Sequence, residues 1–141
     1  MKYLYIFLLL FCVIYESGCN AGKIPLKGKI TFSDDGSPLT RGIIVFSSPT
    51  FQAYGDIQSD GTFRVSSTGK YDGLPPGEYG IHIINTSVAK EGSNSDNPDA
   101  WIFLVDEKYD SAQTSGLKLK IDSQIQNYDI VVDRYIEKRK K

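Results

Sequence analysis

The chain is 141 residues long, 40% apolar and 23% charged, with 16 Lys and Arg against 17 Asp and Glu. That length builds one domain of ordinary size, and the pairing of low apolar content with high net charge that keeps chains disordered is missing. A net charge of −1 removes the electrostatic case for a nucleic-acid partner. One His, two Cys and one Met leave little for a dedicated metal or thiol site, so no metal and no cofactor is expected.

The N-terminus comes first. Met1-Lys2 is a minimal positive start, and Tyr3 to Tyr15 then runs thirteen residues without a charge. A secretory apolar stretch is about 7–15 residues long, whereas a bilayer-spanning helix needs roughly 20. Glu16 closes the run before it reaches spanning length. Residues 1–18 therefore read as a signal peptide. An uncleaved anchor helix is the competing reading, and a buried core helix is disfavoured because the run has no polar face.

Cysteine arithmetic extends the argument. Cys12 sits in the apolar run and leaves with it, so the mature chain keeps Cys19 alone. A single thiol makes no internal disulfide, and a lone free thiol is out of place in an oxidising compartment. Ser17-Gly18-Cys19 resembles the bacterial lipobox, departing from it at Glu16, where an aliphatic residue is usual. The resemblance implies cleavage between Gly18 and Cys19, lipid on the Cys19 sulfur and a bacterial membrane as partner, at the outer membrane or the periplasmic face. Each buried methylene contributes about 0.8 kcal/mol, and the several acyl chains of such proteins make the tether essentially permanent. The alternative is an ordinary signal peptide followed by a chance Gly-Cys. Residues 19–25 are then a polar tether.

From Leu26 the period is two. Leu26, Gly28, Ile30 and Phe32 alternate with Lys27, Lys29 and Thr31, the pattern of a half-buried strand. Asp34 to Pro38 is a turn cluster, and Gly42 to Phe46 is continuously apolar, as a central strand is. Tyr54 to Gln58 leads into Asp60-Gly61, the strongest short hairpin signal, before Phe63 and Val65 resume the alternation. A Gly- and Pro-punctuated loop over 68–76 feeds a strand in which Tyr79, Ile81 and Ile83 share a face. Residues 86–100 read as a flexible polar loop, and Trp101 to Val105 as a strand or a docked turn. Leu117, Leu119 and Ile121, then Tyr128, Ile130 and Val132, mark the last two strands. About seven short strands with turn chemistry between them, and no amphipathic helix, predict an all-β antiparallel sandwich over 26–134. Residues 135–141 end the chain as a basic tail, which is ordinarily solvated but can meet anionic headgroups.

Three stretches in this order carry a resemblance: Gly28 to Phe46 with Gly36-Ser37-Pro38-Leu39 between its strands, Asp60-Gly61-Thr62-Phe63, and Leu74-Pro75-Pro76-Gly77-Glu78-Tyr79. Together they resemble the transthyretin-like (prealbumin-like), carboxypeptidase-regulatory-like β-sandwich. More narrowly, with Glu107-Lys108-Tyr109-Asp110 and Thr114-Ser115-Gly116-Leu117, they are similar to the small exported lipoproteins of planctomycetes. Within that superfamily the hydroxyisourate hydrolases need several His and a C-terminal Tyr-Arg-Gly-Ser-type motif, which this chain lacks.

Chemistry is sparse. His82 lies between Ile81 and Ile83 and reads as a sheet-face residue, and no Gly-x-Ser-x-Gly elbow occurs. Asp34, Asp35, Asp56 and Asp60 suit Ca²⁺ as a residue type, but Asp beside Gly is also plain turn chemistry. Tyr54, Tyr71, Trp101 and Tyr109 fall outside the inward-facing positions, and exposed rings stack on sugars or anchor protein partners. The expectation is a non-enzymatic, membrane-anchored envelope module, taken as monomeric, that meets a protein partner. A carbohydrate-binding accessory module using those aromatics is the alternative.

Overall fold

A computed structural model describes residues 22–93, 96–122 and 127–137. The apolar N-terminal run, Gly18, Cys19 and the tail from residue 138 lie outside the described residues.

Alternation decides which face each strand buries. In β1 (Lys27–Phe32), Gly28, Ile30 and Phe32 turn inward while Lys27 and Lys29 face water. The unbroken apolar run forms β2 (Ile43–Ser47), which lies between β3 (Gln52–Asp56) and β5 (Gly77–Ile84). With β8 (Leu117–Ile121) on its far side, β5 completes a four-stranded antiparallel sheet in the order β3-β2-β5-β8. A second sheet has the order β4-β1-β9, from β4 (Thr62–Arg64) and β9 (Ile130–Val132). The two layers enclose one core. Ile30, Phe63 and Val132 come from one sheet and Ile44, Phe46, Ile81 and Ile83 from the other. Phe46 and Phe63 meet across the layers with ring centroids 6.2 Å apart. An all-β sandwich is therefore the fold, as the period-two pattern predicts.

Three details depart from expectation. First, β9 runs parallel to β1, with Ile30, Thr31 and Phe32 in register with Ile130, Val131 and Val132, so the architecture is not wholly antiparallel. The lead-in to β9 presses on Gly28, where a Cβ would stand 1.9 Å from the Tyr128 carbonyl oxygen; only glycine admits that approach. Second, Asp60-Gly61 does turn the chain, with Gln58 N–H donating to the Thr62 carbonyl at 2.8 Å, and its arms meet again where Tyr54 and Ser66 exchange both backbone hydrogen bonds, at 2.9 and 2.8 Å. Between those two contacts β4 forms its ladder with β1 and not with β3. Phe63 must point into the interior beneath Phe46, so the hairpin becomes the corner where the chain changes sheets.

Third, the expected flexible loop over 86–100 contains structure. β6 (Ser87–Ala89) pairs antiparallel with β7 (Trp101–Phe103), and a 3-10 turn at Pro98–Ala100 precedes β7. Nine strands are thus present among the described residues rather than about seven.

The two ends of the sandwich are distinct. At the near end Ile24 already pairs with Leu74, donating at 2.7 Å and accepting at 3.1 Å, so the ordered chain starts before Leu26. β1 carries the chain away from that end, and β9 runs alongside it. At the far end Asp106 N–H donates to the Asp133 carbonyl and Tyr135 N–H to the Leu104 carbonyl. Tyr135, expected in the tail, belongs to the fold.

Candidate functional site

The four aromatics singled out from the sequence separate into three places. Tyr54 and Tyr71 come together, Trp101 stands at the far end, and Tyr109 is inside.

Tyr109 corrects an expectation. It is only 4% exposed and belongs to the core, in a 3-10 turn at Glu107–Asp110. Its hydroxyl donates to an Asp133 carboxylate oxygen at 3.3 Å and accepts from Asp133 N–H at 3.1 Å. Tyr109 reads as a surface ring because it falls outside the inward-facing strand positions. The turn instead drives the one aromatic inward and leaves its charged neighbours outside.

Trp101 and Phe103 on β7 are 37% and 51% exposed. They border a cavity of about 410 Å³ that Lys90, Asp99, Tyr135 and Glu137 also line. The Phe103 and Tyr135 rings lie 5.5 Å apart, so the β7 hairpin and the C-terminal segment share one aromatic surface. Ile102 and Ile136 add further exposed apolar area. Such an apolar patch rimmed by charge is the mark of an interaction surface.

The near end is organised differently. Tyr54 and Tyr71 border a recess of about 200 Å³ with Asp56, Gln58, Thr62 and Arg64. Tyr71 has φ +57°, a left-handed conformation rare for a bulky residue. The loop around it is built to hold that shape. Tyr71 N–H donates to Ser66 Oγ at 2.9 Å, and the next residue, Asp72, accepts from Ser67 N–H at 2.7 Å and Gly69 N–H at 2.8 Å. Asp72 also takes hydrogen bonds from Lys23 and from the Ser67 and Thr68 hydroxyls. The Lys23 bond foremost, with the Ser67 and Gly69 amides, holds this carboxyl well below its ordinary value. Arg64 then lies over the displayed ring, its guanidinium carbon 4.4 Å from the centroid.

Three of the four carboxylates considered for Ca²⁺ are engaged elsewhere, and the fourth, Asp56, lines the recess beside Arg64. Asp34 and Asp35 bind Arg134, and Asp60 accepts from Thr62 N–H and hydroxyl. Among the described residues no three His, Cys, Asp or Glu side chains assemble as a metal site. His82 lies on the outer side of β5, opposite Val45, as a sheet-face residue should. Burial pushes its imidazole below the ordinary 6.5, against a weaker pull from Asp110, and its Nδ1 has no hydrogen-bond partner among the described residues. Sequence reasoning passed over Arg64, Lys27, Phe103 and Tyr135. Their significance lies in register and end-to-end packing, which no local pattern announces.

No family model matches the chain, and no curated protein matches it. Among solved structures it is similar to the major pilin subunit BcpA of Bacillus cereus, at 11% identity and a TM-score of 0.47, over 79% of this chain and 30% of that one. It is also similar to a 9R-lipoxygenase from Cyanothece, at 12% identity and a TM-score of 0.41, over 85% of this chain and 18% of that one. The chain thus spans less than a third of either, and likenesses at this level carry no argument about function.

Proposed function

We propose that the chain is a non-enzymatic envelope lipoprotein, held to a bacterial membrane by lipid on Cys19, whose β-sandwich serves as a structural or protein-interaction module. The observation that carries this reading is the polarity of the domain. Ile24 is locked to Leu74 at the near end, and the exposed apolar surface of Trp101, Phe103 and Ile136 lies at the other. Only residues 20–23 separate Cys19 from that lock. At about 3.3–3.6 Å per extended residue the near end stays close to the bilayer and the far end is presented outward. An anchor at one pole and an interaction patch at the other suit a tethered binding module.

The anchor is tested by fractionation. Cys19→Ser should move the protein out of the membrane fraction, and intact-mass analysis of the wild type should show acyl chains on the new N-terminus. A Cys19→Ser protein that still pelleted in full with membranes overturns the lipid tether.

A second reading rests on the far-end cavity. Trp101 beside Lys90, Asp99 and Glu137 offers a stacking ring with hydrogen-bonding groups around it, which is what a pyranose needs. A glycan array decides between the two: a saturable signal abolished by Trp101→Ala selects carbohydrate binding, and silence favours a protein partner.

A further inference from the structure

The near end carries an electrostatic anomaly. Lys27 and Arg64 are direct partners across the β1–β4 ladder, so their side chains stand side by side on the outer face of the sheet. Like charges directly opposite each other destabilise a strand pair. A neighbouring carboxylate ordinarily relieves such a clash, and among the described residues none stands within ion-pair distance of either cation. The nearby Asp72 is already met by Lys23. Asp60 is held by Thr62, with Lys29 as its favourable charge. Asp56 faces Arg64 across the turn between β3 and β4, on the recess that both line, but forms no ion pair with it.

Around this pair the surface is shaped rather than flat. A recess of about 200 Å³ is lined by Pro25, Leu26, Lys27, Arg64 and Tyr71. At about 30 Å³ for each water of the liquid, it has room for a group the size of a hydrated phosphate ester. Tyr71 orients the guanidinium from below, and Lys70 places a third cation 5.2 Å from the same ring. The ring is displayed by the left-handed Tyr71 backbone, the kind of strain that persists only where surrounding bonds over-determine it. Arg presents paired N–H donors that match phosphate oxygens, and Lys adds point charge.

We propose that Arg64, with Lys27 beside it, binds the phosphate of an anionic phospholipid headgroup. The choice of a lipid over a free phosphate rests on the anchored reading above, because Pro25, the last residue of the tether, lines the recess. The headgroup supplies the missing negative charge, and the bound domain lies with its near end against the bilayer.

The test uses the full chain and lipids short enough to stay monomeric, so that the apolar N-terminus plays no part. Dihexanoyl phosphatidylglycerol should bind saturably in calorimetric titration and shift the Arg64 Nε–H resonance. Dihexanoyl phosphatidylcholine and inorganic phosphate should bind at least about tenfold more weakly, and raised salt should weaken all three. Arg64→Gln should lose at least about tenfold in affinity, while Arg41→Gln, at an exposed site away from the recess, should bind as wild type does. The thermal midpoint of Arg64→Gln should not fall, because the variant removes the like-charge pair. Equal binding by Arg64→Gln and wild type overturns the site, as does no binding of any probe. Inorganic phosphate binding as tightly as phosphatidylglycerol overturns the lipid source. Binding by a chain that carries no acyl group removes the Cys19 anchor and keeps the recess; an acylated chain without binding does the reverse.

Discussion

Arg134 donates from Nε to an Asp34 carboxylate oxygen at 2.8 Å, closing a contact between positions one hundred residues apart in the chain. The same guanidinium reaches Asp35 and Ser37 through Nη2 and lies 3.8 Å from the Phe32 ring centroid. It fastens the segment leaving β9 to the turn that follows β1, and so positions Tyr135 beside Phe103. Exposed ion pairs add little to global stability. Their effect here is local. Arg134→Gln should speed hydrogen exchange at Asp106 and Tyr135, whose amides bond across the far end, by about tenfold or more. Exchange in β2 should not change. Unaltered rates at Asp106 and Tyr135 exclude this role.

Gly73 decides the other end. Its φ is +78°, and a Cβ there would stand 2.0 Å from the Ile24 carbonyl oxygen. Gly73→Ala therefore combines a strained backbone with a clash that can be relieved only by parting Ile24 from Leu74. We expect a loss of roughly 2 kcal/mol or more in urea unfolding. Limited proteolysis near Lys23 should accelerate as well. A Gly73→Ala protein of wild-type stability contradicts the near-end lock.

The strands that alternate cleanly were legible because each carries its own instruction. In β1 and β5 the burial of every second residue is local and survives any choice of neighbour. What could not be read was partnership. Asp60-Gly61 predicts a turn and makes one, yet the ladder of β4 with β1 goes with Phe63 meeting Phe46, a contact set by the other sheet. The parallel placement of β9 on β1 is likewise a property of the closed domain. Short β6 escaped because three residues in a polar stretch show no period, and only β7 gives them a partner. At the candidate site Tyr54 and Tyr71 were visible as misplaced aromatics. The Lys27–Arg64 juxtaposition follows from register alone and has no local signature.

His82, the only histidine of the chain, makes the pH response specific. Burial lowers its folded pKa below the ordinary 6.5, so the folded state keeps the imidazole neutral where the unfolded chain takes up a proton. Stability from this group is complete above about pH 6.5 and is lost as pH falls through the folded pKa. The urea midpoint should therefore decline between pH 7 and pH 5. His82→Gln should flatten that decline without altering the value at pH 7.5 by more than about 0.5 kcal/mol. A variant that keeps the full slope rules out His82 as its source.

Tyr109→Phe tests the link between the 3-10 turn and the end of β9. The ring is a core element, and removing the hydroxyl leaves that packing in place while deleting both bonds to Asp133. Asp133 N–H then loses its acceptor in a partly buried setting. A loss of about 1–2 kcal/mol follows from an unmade hydrogen bond of this kind. Lys108 also pairs with Asp133, and the Ser33 hydroxyl donates to the other carboxylate oxygen at 2.8 Å, so the carboxylate itself stays held. The penalty should therefore appear at the amide. Exchange at Asp133 should rise in Tyr109→Phe, and the thermal midpoint should fall by several degrees for a domain of this size. Were Tyr109 instead a surface ring awaiting a ligand, the substitution would leave both quantities where they were.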